Sequence, residues 1–143
     1  MFSIYNPDIN PIIRDIRANG VKHRLFAFHA SNHNSGNMYV ENITIGIDPQ
    51  DNARLIYMDT DNGNMSYNTF KHLRTYGGTG DTITNNYMIE LYGNGRDIRW
   101  NSFQMLRTEE APLLWAHTNG SGEVTENWFR DIIYRDRRDK GTT

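Results

Sequence analysis

Two stretches of the chain, Arg54–Tyr76 (RLIYMDTDNGNMSYNTFKHLRTY) and Tyr87–Glu109 (YMIELYGNGRDIRWNSFQMLRTE), align without a gap. The identical pairs are Ile56/Ile89, Asn68/Asn101, Phe70/Phe103, Leu73/Leu106, Arg74/Arg107 and Thr75/Thr108. A fainter third copy covers Leu114–Ile132, with Asn127 and Phe129 at the asparagine and phenylalanine positions. Self-similarity of this kind indicates repeated structural units. We therefore predict repeats at about 54–76, 87–109 and 114–132, within a single domain of residues 1–143.

Each repeat has a simple local interpretation. A short apolar strand leads into a turn rich in Gly, Asn and Asp, which is the signal of a β-hairpin. The second strand then ends at Asn68, Asn101 or Asn127, where an asparagine side chain can cap a helix. Phenylalanine and leucine follow three residues apart, the spacing that places both on one face of a helix. The predicted unit is strand, turn, strand and short helix.

The flanking segments predict further elements of both kinds. Asn10-Pro11 resembles a helix start and Gly20 a helix stop, which predicts a helix over 11–19. Residues 25–29 and 38–47 have the pattern of strands, and a last helix is expected over 128–138. The predicted fold class is α+β, with an antiparallel, curled or barrel-like sheet, an N-terminal helix and a C-terminal helix.

Composition narrows the classes of protein to consider. The 143 residues include no cysteine, which excludes a disulfide framework and thiolate metal sites. A net charge of −2 argues against a nucleic-acid binder, and no apolar run approaches the ~20 residues of a membrane span. The first residues lack the pattern of a signal peptide, so we expect a cytoplasmic or virion-associated protein. The asparagine-rich, cysteine-free composition is typical of small viral or phage proteins.

One group of residues could bind an anion. Arg74 and Arg107 occupy the same repeat position, and Arg96 and Arg99 are close to Arg107 in sequence. Trp100 could add an aromatic surface on which a base stacks. The alternative is that the two repeated arginines complement helix ends and that Trp100 lies in the core. A nucleotide or another small anionic ligand is the corresponding functional hypothesis.

Other polar motifs favour structural explanations. His29 and His33 need not share a face, so we expect no metal site there. The stretch 59–64 lacks the glycine and glutamate spacing of a calcium loop and is expected to be a hairpin turn. The glycine-rich segment 76–81 lacks the lysine of a phosphate loop and is expected to connect two repeats. His29, His72 or His117 could form an enzyme site only by meeting a carboxylate in a deep pocket.

These observations favour a non-enzymatic binding or assembly subunit that acts through protein–protein contacts. No catalytic set of residues is present in a known spacing, no cofactor is expected, and the repeated residues all have structural roles. A homo-oligomer or a protein partner is expected, without nucleic acid or membrane. The mixed charges of Arg135–Lys140 predict a solvated helix end. A small-anion binder and a small enzyme are the alternatives.

Overall fold

The computed structural model describes residues 1–5, 10–31, 33–47, 53–77, 86–109 and 112–135, and the described residues contain strands and no helix. In chain order the strands are β1 (Phe2–Tyr5), β2 (Ile12–Val21), β3 (Arg24–Ala30), β4 (Ser35–Gly36), β5 (Tyr39–Ile47), β6 (Arg54–Thr60), β7 (Met65–Ser66), β8 (Thr69–Gly77), β9 (Tyr87–Asn94), β10 (Ile98–Arg99), β11 (Ser102–Glu109), β12 (Leu114–Asn119), β13 (Val124–Thr125) and β14 (Trp128–Arg135).

These strands form three parallel sheets. Sheet A has the order β1-β3-β6-β9-β12, sheet B the order β2-β5-β8-β11-β14, and sheet C the order β4-β7-β10-β13. Consecutive strands along the chain enter different sheets, and each strand pairs with its counterpart from the neighbouring coil. The chain is therefore a β-solenoid. We number its coils as rung 0 (β1, β2), rung 1 (β3–β5), rung 2 (β6–β8), rung 3 (β9–β11) and rung 4 (β12–β14).

The prediction of an α+β fold with an antiparallel sheet is wrong. The segments expected as helices over 11–19 and 128–138 form β2 and β14, with 136–138 outside the described residues. The expected hairpins are also wrong, because the glycine-containing turns join sheet A to sheet C instead of joining two paired strands. Gly63 in one such turn leaves no room for a side chain, since a Cβ there would lie 1.9 Å from the carbonyl oxygen of His33.

The helix-like spacing has a backbone cause. Each sheet B strand contains one left-handed residue at a common register position: Asp15, Asn42, His72, Met105 and Asp131, with φ between 52 and 61°. Strand residues normally alternate between two faces, and the left-handed residue interrupts this alternation. Phe70 and Leu73, which flank His72, are consequently both buried although they are three residues apart. A bent strand thus imitates the i, i+3 pattern of a helix.

The repeated asparagines stack in a ladder instead of capping helices. Nδ2 of Asn68 donates to Oδ1 of Asn101 (2.8 Å), and Nδ2 of Asn101 donates to Oδ1 of Asn127 (2.9 Å). Each asparagine follows a left-handed residue, Tyr67, Trp100 or Glu126, which turns the chain from sheet C into sheet B. Successive coils measured at this corner are 30, 33 and 26 residues long.

The aligned repeat positions stack in register inside the solenoid. Phe70 lies against Phe103 and Phe103 against Phe129, with ring centroids 4.8 and 4.6 Å apart and rings 5° from parallel. Leu73 pairs with Leu106, and Ile56 with Ile89. These columns form the core, and burial of apolar surface along them is the main stabilising contribution to such a fold.

Candidate interaction surfaces

In the part of the chain that the structure describes, rung 4 is the last rung of all three sheets, and several of its large apolar side chains are exposed to solvent. Ile132 is 41 % exposed, whereas Leu106 at the same register position of rung 3 is 1 % exposed. Trp128 is 58 % exposed, and Ile133 and Tyr134 are about half exposed. Among the described residues, no strand pairs with the outer edge of β14. An open strand edge presents unpaired N–H and C=O groups together with this apolar surface.

A cleft of about 590 Å³ lies across the last two rungs of sheet B. Its lining combines Ser102 and Gln104 of β11 with Trp128 and Arg130 of β14. Nη2 of Arg130 donates to Oε1 of Gln104 (2.7 Å) across the cleft. The open end therefore joins apolar rings to polar groups, the mixture found in protein–protein contacts.

The opposite end of the solenoid is also open within the described residues. Rung 0 ends sheets A and B with β1 and β2, and Phe2 and Ile12 are 57 % and 68 % exposed there. The apolar columns of the core reach this end through Ile13 and Ile16. The same apolar register columns therefore reach both ends of the described solenoid.

The structure divides the five residues predicted to bind an anion into two groups. Arg74 and Arg107 pair in register on β8 and β11, in a column that also contains Arg17 and Thr44. Trp100 lies at the corner before β11, seven residues before Arg107, and the five extended steps from Ser102 to Arg107 alone span ~16 Å. The structure therefore places Trp100 at some distance from the two repeated arginines, and a site made from all five residues stays a prediction.

The first group is joined by one buried carboxylate. Oε1 of Glu109 accepts hydrogen bonds from Nε and Nη2 of Arg107 (3.0 and 2.7 Å) and from Nη2 of Arg74 (3.2 Å). Nε of Arg74 is buried and has no hydrogen-bond partner. The arginines do not complement helix ends, because their strands belong to sheet B.

The second group lies at the turn and corner of rung 3. The guanidinium of Arg99 lies 4.3 Å from the ring centroid of Trp100, and its Nη1 is 3.5 Å from Oδ2 of Asp97. Trp100 stacks on Tyr67 with ring centroids 5.2 Å apart, instead of entering the core. Arg96 is exposed at the same turn. The indole faces already have two neighbours, which leaves less room for a stacked base.

A row of polar and aromatic groups lies along sheet A. Nε of Arg54 donates to Oε2 of Glu90 (2.7 Å), and both side chains are buried. Nε2 of His117 lies 3.0 Å from Oε1 of the same carboxylate, and its ring stacks between Tyr92 and Trp115. Glu90 can thus fix the orientation of the His117 imidazole while its own charge is compensated by Arg54.

Burial also raises the pKa of the Tyr57 hydroxyl well above its ordinary value of about 10, and the carboxylate of Asp59 adds to this shift. Two further histidines meet carboxylates: Nδ1 of His29 lies 3.4 Å from Oδ2 of Asp59, and Nδ1 of His72 lies 3.3 Å from Oε1 of Glu41.

Three clefts on the described surface, of about 590, 420 and 160 Å³, are lined by residues other than His29, His72 and His117. The small-enzyme hypothesis stays a prediction.

The described residues contain no group of three or more His, Asp or Glu side chains arranged to hold a metal ion. The segment predicted as a hairpin turn, 59–64, connects β6 to β7. Residues 78–81 of the glycine-rich segment and residues 136–143 of the charged tail lie outside the described residues. The described part of the chain also has no helix that could cross a membrane.

Comparison of the chain with protein-family models, with curated proteins and with solved structures finds no match. The open ends and the arginine column of sheet B are therefore interpreted from their own geometry.

Sequence reasoning missed two features of these surfaces. Arg17 and Thr44 join the Arg74 column only because the chain winds, so no local motif could indicate them. The open end had a signal in the run Ile132-Ile133-Tyr134, since three consecutive apolar residues are unusual on a solvated surface.

Proposed function

We propose that this protein is a non-enzymatic assembly subunit that associates with further copies of itself through the open end of its solenoid. The observation that carries the proposal is the exposure of Ile132, 41 %, against 1 % for Leu106 one rung below. The terminal repeats of solenoids need a polar outer face to stay separate in water. The described part of rung 4 has an apolar one.

Head-to-tail stacking would continue the columns of the core. With rung 0 of a second copy on rung 4 of the first, Phe129 would meet Ile13 and Ile132 would meet Ile16. Both pairings are apolar on apolar, as between the inner rungs. On sheet A, Leu114 would meet Phe2 in the same way.

The strand edges support the same arrangement. β14 would pair with β2 of the next copy in the parallel manner by which β2 pairs with β5. Main-chain hydrogen bonds of such an added strand supply affinity, and the side-chain columns fix the register. Because the two contacting ends differ, the contact is heterologous, and repetition leads to an open filament instead of a closed dimer.

Sedimentation velocity of the full chain over a range of micromolar concentrations tests the proposal. We expect a mass that grows with concentration beyond the dimer. A dimer that grows no further would mean that like ends meet around a two-fold axis, which contradicts the head-to-tail arrangement. A monomer at every concentration would refute assembly altogether.

A charged substitution on rung 4 tests whether two copies contact each other through this end. Ile133→Lys places a positive charge opposite Arg17 of the next copy, because Ile133 and Arg17 belong to one register column. Like charges directly opposite across strands are destabilising, so the association constant should fall at least about tenfold.

Met105→Lys is the matched control. Met105 is also exposed and apolar, but it lies on the flank of rung 3, away from both ends. This variant should assemble as the unsubstituted chain does. Equal weakening by both substitutions would place the contact elsewhere. A virion-associated or cytoplasmic location for the subunit stays a prediction.

A further inference from the structure

A second surface, on the flank of sheet B, has the features of a small-ligand site. Arg17 and Asn19 of β2, Thr44 of β5, and Arg74 and Tyr76 of β8 line a cleft of about 420 Å³. The cleft spans three neighbouring rungs. Its lining residues are fixed by the parallel register of the sheet instead of by a loop.

Two arginines line this cleft. Arg17, Thr44 and Arg74 occupy one register column, so the two arginines are attached to strands about 9–10 Å apart with Thr44 between them. Arginine side chains are long enough to meet over the threonine hydroxyl. Such a pair can hold one oxyanion by charge-assisted hydrogen bonds from both sides.

Positive charge exceeds negative charge around the cleft. Arg74 shares the carboxylate of Glu109 with Arg107. Among the described residues, Arg17 has no carboxylate partner. The column therefore contains three guanidinium groups, and the carboxylate of Glu109, two residues beyond the column on β11, contacts two of them. An anion in the cleft would be attracted by the excess of positive charge.

Arg74 keeps one donor without an acceptor. Nε of Arg74 is buried and makes no hydrogen bond, while Nη2 of the same guanidinium donates to Glu109. Buried polar groups are almost always paired, so a bound anion toward which the Arg74 side chain turns would satisfy this donor.

The end wall of the cleft is built around a glycine. A Cβ at Gly46 would lie 3.1 Å from Cε2 of Tyr76 and 3.2 Å from Oδ1 of Asn19. Glycine lets the Tyr76 ring lie close to this strand without displacement, and the Tyr76 hydroxyl donates to Oδ1 of Asn19. The amide nitrogen of Asn19 is left as a further donor, beside Thr44 and the two guanidinium groups.

We propose that this cleft binds a tetrahedral oxyanion: inorganic phosphate or the phosphate group of a small phosphomonoester. Its polar lining is rich in donors, which suits an acceptor-only ligand. Arg17 and Arg74 hold two of its oxygens, and Thr44 lies below a third. The cleft includes two residues of β2 at the open end of rung 0, but all of its lining residues belong to one chain, so a single copy can bind the anion.

Isothermal titration of the full chain with inorganic phosphate, and in parallel with phenyl phosphate, at constant ionic strength tests the proposal. We expect saturable 1:1 binding of at least one of the two. Tighter binding of inorganic phosphate assigns the free ion, and tighter binding of phenyl phosphate assigns a phosphomonoester. No saturable binding of either would refute the site.

Two substitutions on β2 separate a built site from general charge attraction. Arg17→Gln should weaken phosphate binding about tenfold or more and should leave the melting temperature without phosphate unchanged, since Arg17 is exposed. Arg14→Gln removes the same charge from an exposed residue of the same strand, outside the cleft. It should leave binding nearly as it is. Equal weakening by both variants would overturn the proposal.

Discussion

Rung 3 and rung 4 have the same architecture but very different surroundings. Phe103 and Leu106 of rung 3 are covered on both sides by the neighbouring rungs, whereas within residues 1–135, as far as they are described, Phe129 and Ile132 of rung 4 are covered by one rung only. The asparagine ladder shows the same difference, because Asn101 has ladder partners above and below it and Asn127 has one. The same type of residue in a solenoid therefore contributes more to the free energy of unfolding when rungs contact it on both sides than when one rung contacts it.

The largest expected difference in stability between the two rungs is for substitutions of the stacked phenylalanines, Phe103 and Phe129. Phe103→Ala should lower the free energy of unfolding by about 3–5 kcal/mol, because it opens a cavity between two stacked rings. Phe129→Ala removes one stacking contact and should cost less than about half as much. Urea denaturation followed by circular dichroism, at a concentration where the chain is monomeric, measures both losses. Equal losses would mean that rung 4 is covered in solution.

For the asparagine ladder we expect a smaller difference between the two rungs, again with the larger loss of free energy of unfolding in rung 3. Asn101 accepts from the backbone N–H of Asn68 and donates to the carbonyl oxygen of Met65. Asn101→Ala leaves this buried N–H unpaired and should cost about 2–3 kcal/mol. Asn127→Ala affects a more exposed corner and should cost about 1 kcal/mol. The same denaturation experiment compares the two, and a larger loss at Asn127 would contradict the ladder as described.

The smallest expected effect appears only at alkaline pH. Because burial raises the pKa of Tyr57, its hydroxyl stays protonated in the fold at a pH where it ionises in the unfolded chain, near 10. The unfolded state then binds fewer protons, so the free energy of unfolding falls as the pH rises above about 10.

Melting curves from neutral pH to about pH 11 measure this fall. Tyr57→Phe should make it shallower. Tyr134→Phe, at an exposed position of rung 4, is the control and should leave the profile unchanged. An unaltered profile in Tyr57→Phe would show that the fall has another origin.

Part of this fold could be predicted from the sequence. The gapless alignment of 54–76 with 87–109 places Ile56 on Ile89 and Phe70 on Phe103, which are register pairs in the structure. Which residues stack could be predicted, since stacked positions need matching volume and polarity. The direction of the strands could not, because a Gly/Asn turn fits both a hairpin and the corner of a coil.

The helix predictions failed for a specific reason. The left-handed backbone at His72 and Met105 produces the i, i+3 burial pattern that is typical of a helix. Neither histidine nor methionine predicts this backbone conformation. The candidate sites were predictable only in part. Arg74 and Arg107 were grouped correctly as neighbours, but Arg17 reaches their column through pairing between distant segments. Trp100 was separated from them by the length of β11.

The coils measured at the asparagine corner are unequal in length, with 30, 33 and 26 residues. The spacing from the start of β6 to Asn68 equals that from the start of β9 to Asn101. In rung 4 the corresponding spacing, from Leu114 to Asn127, is one residue longer than from Ile89 to Asn101, so this half of the coil varies little in length. Length varies instead on the return from sheet B to sheet A, after Ile47, Gly77 and Glu109. Asn68, Asn101 and Asn127 nevertheless stack on one another, so the height of each corner along the solenoid axis is set by the ladder and not by the number of residues in a coil.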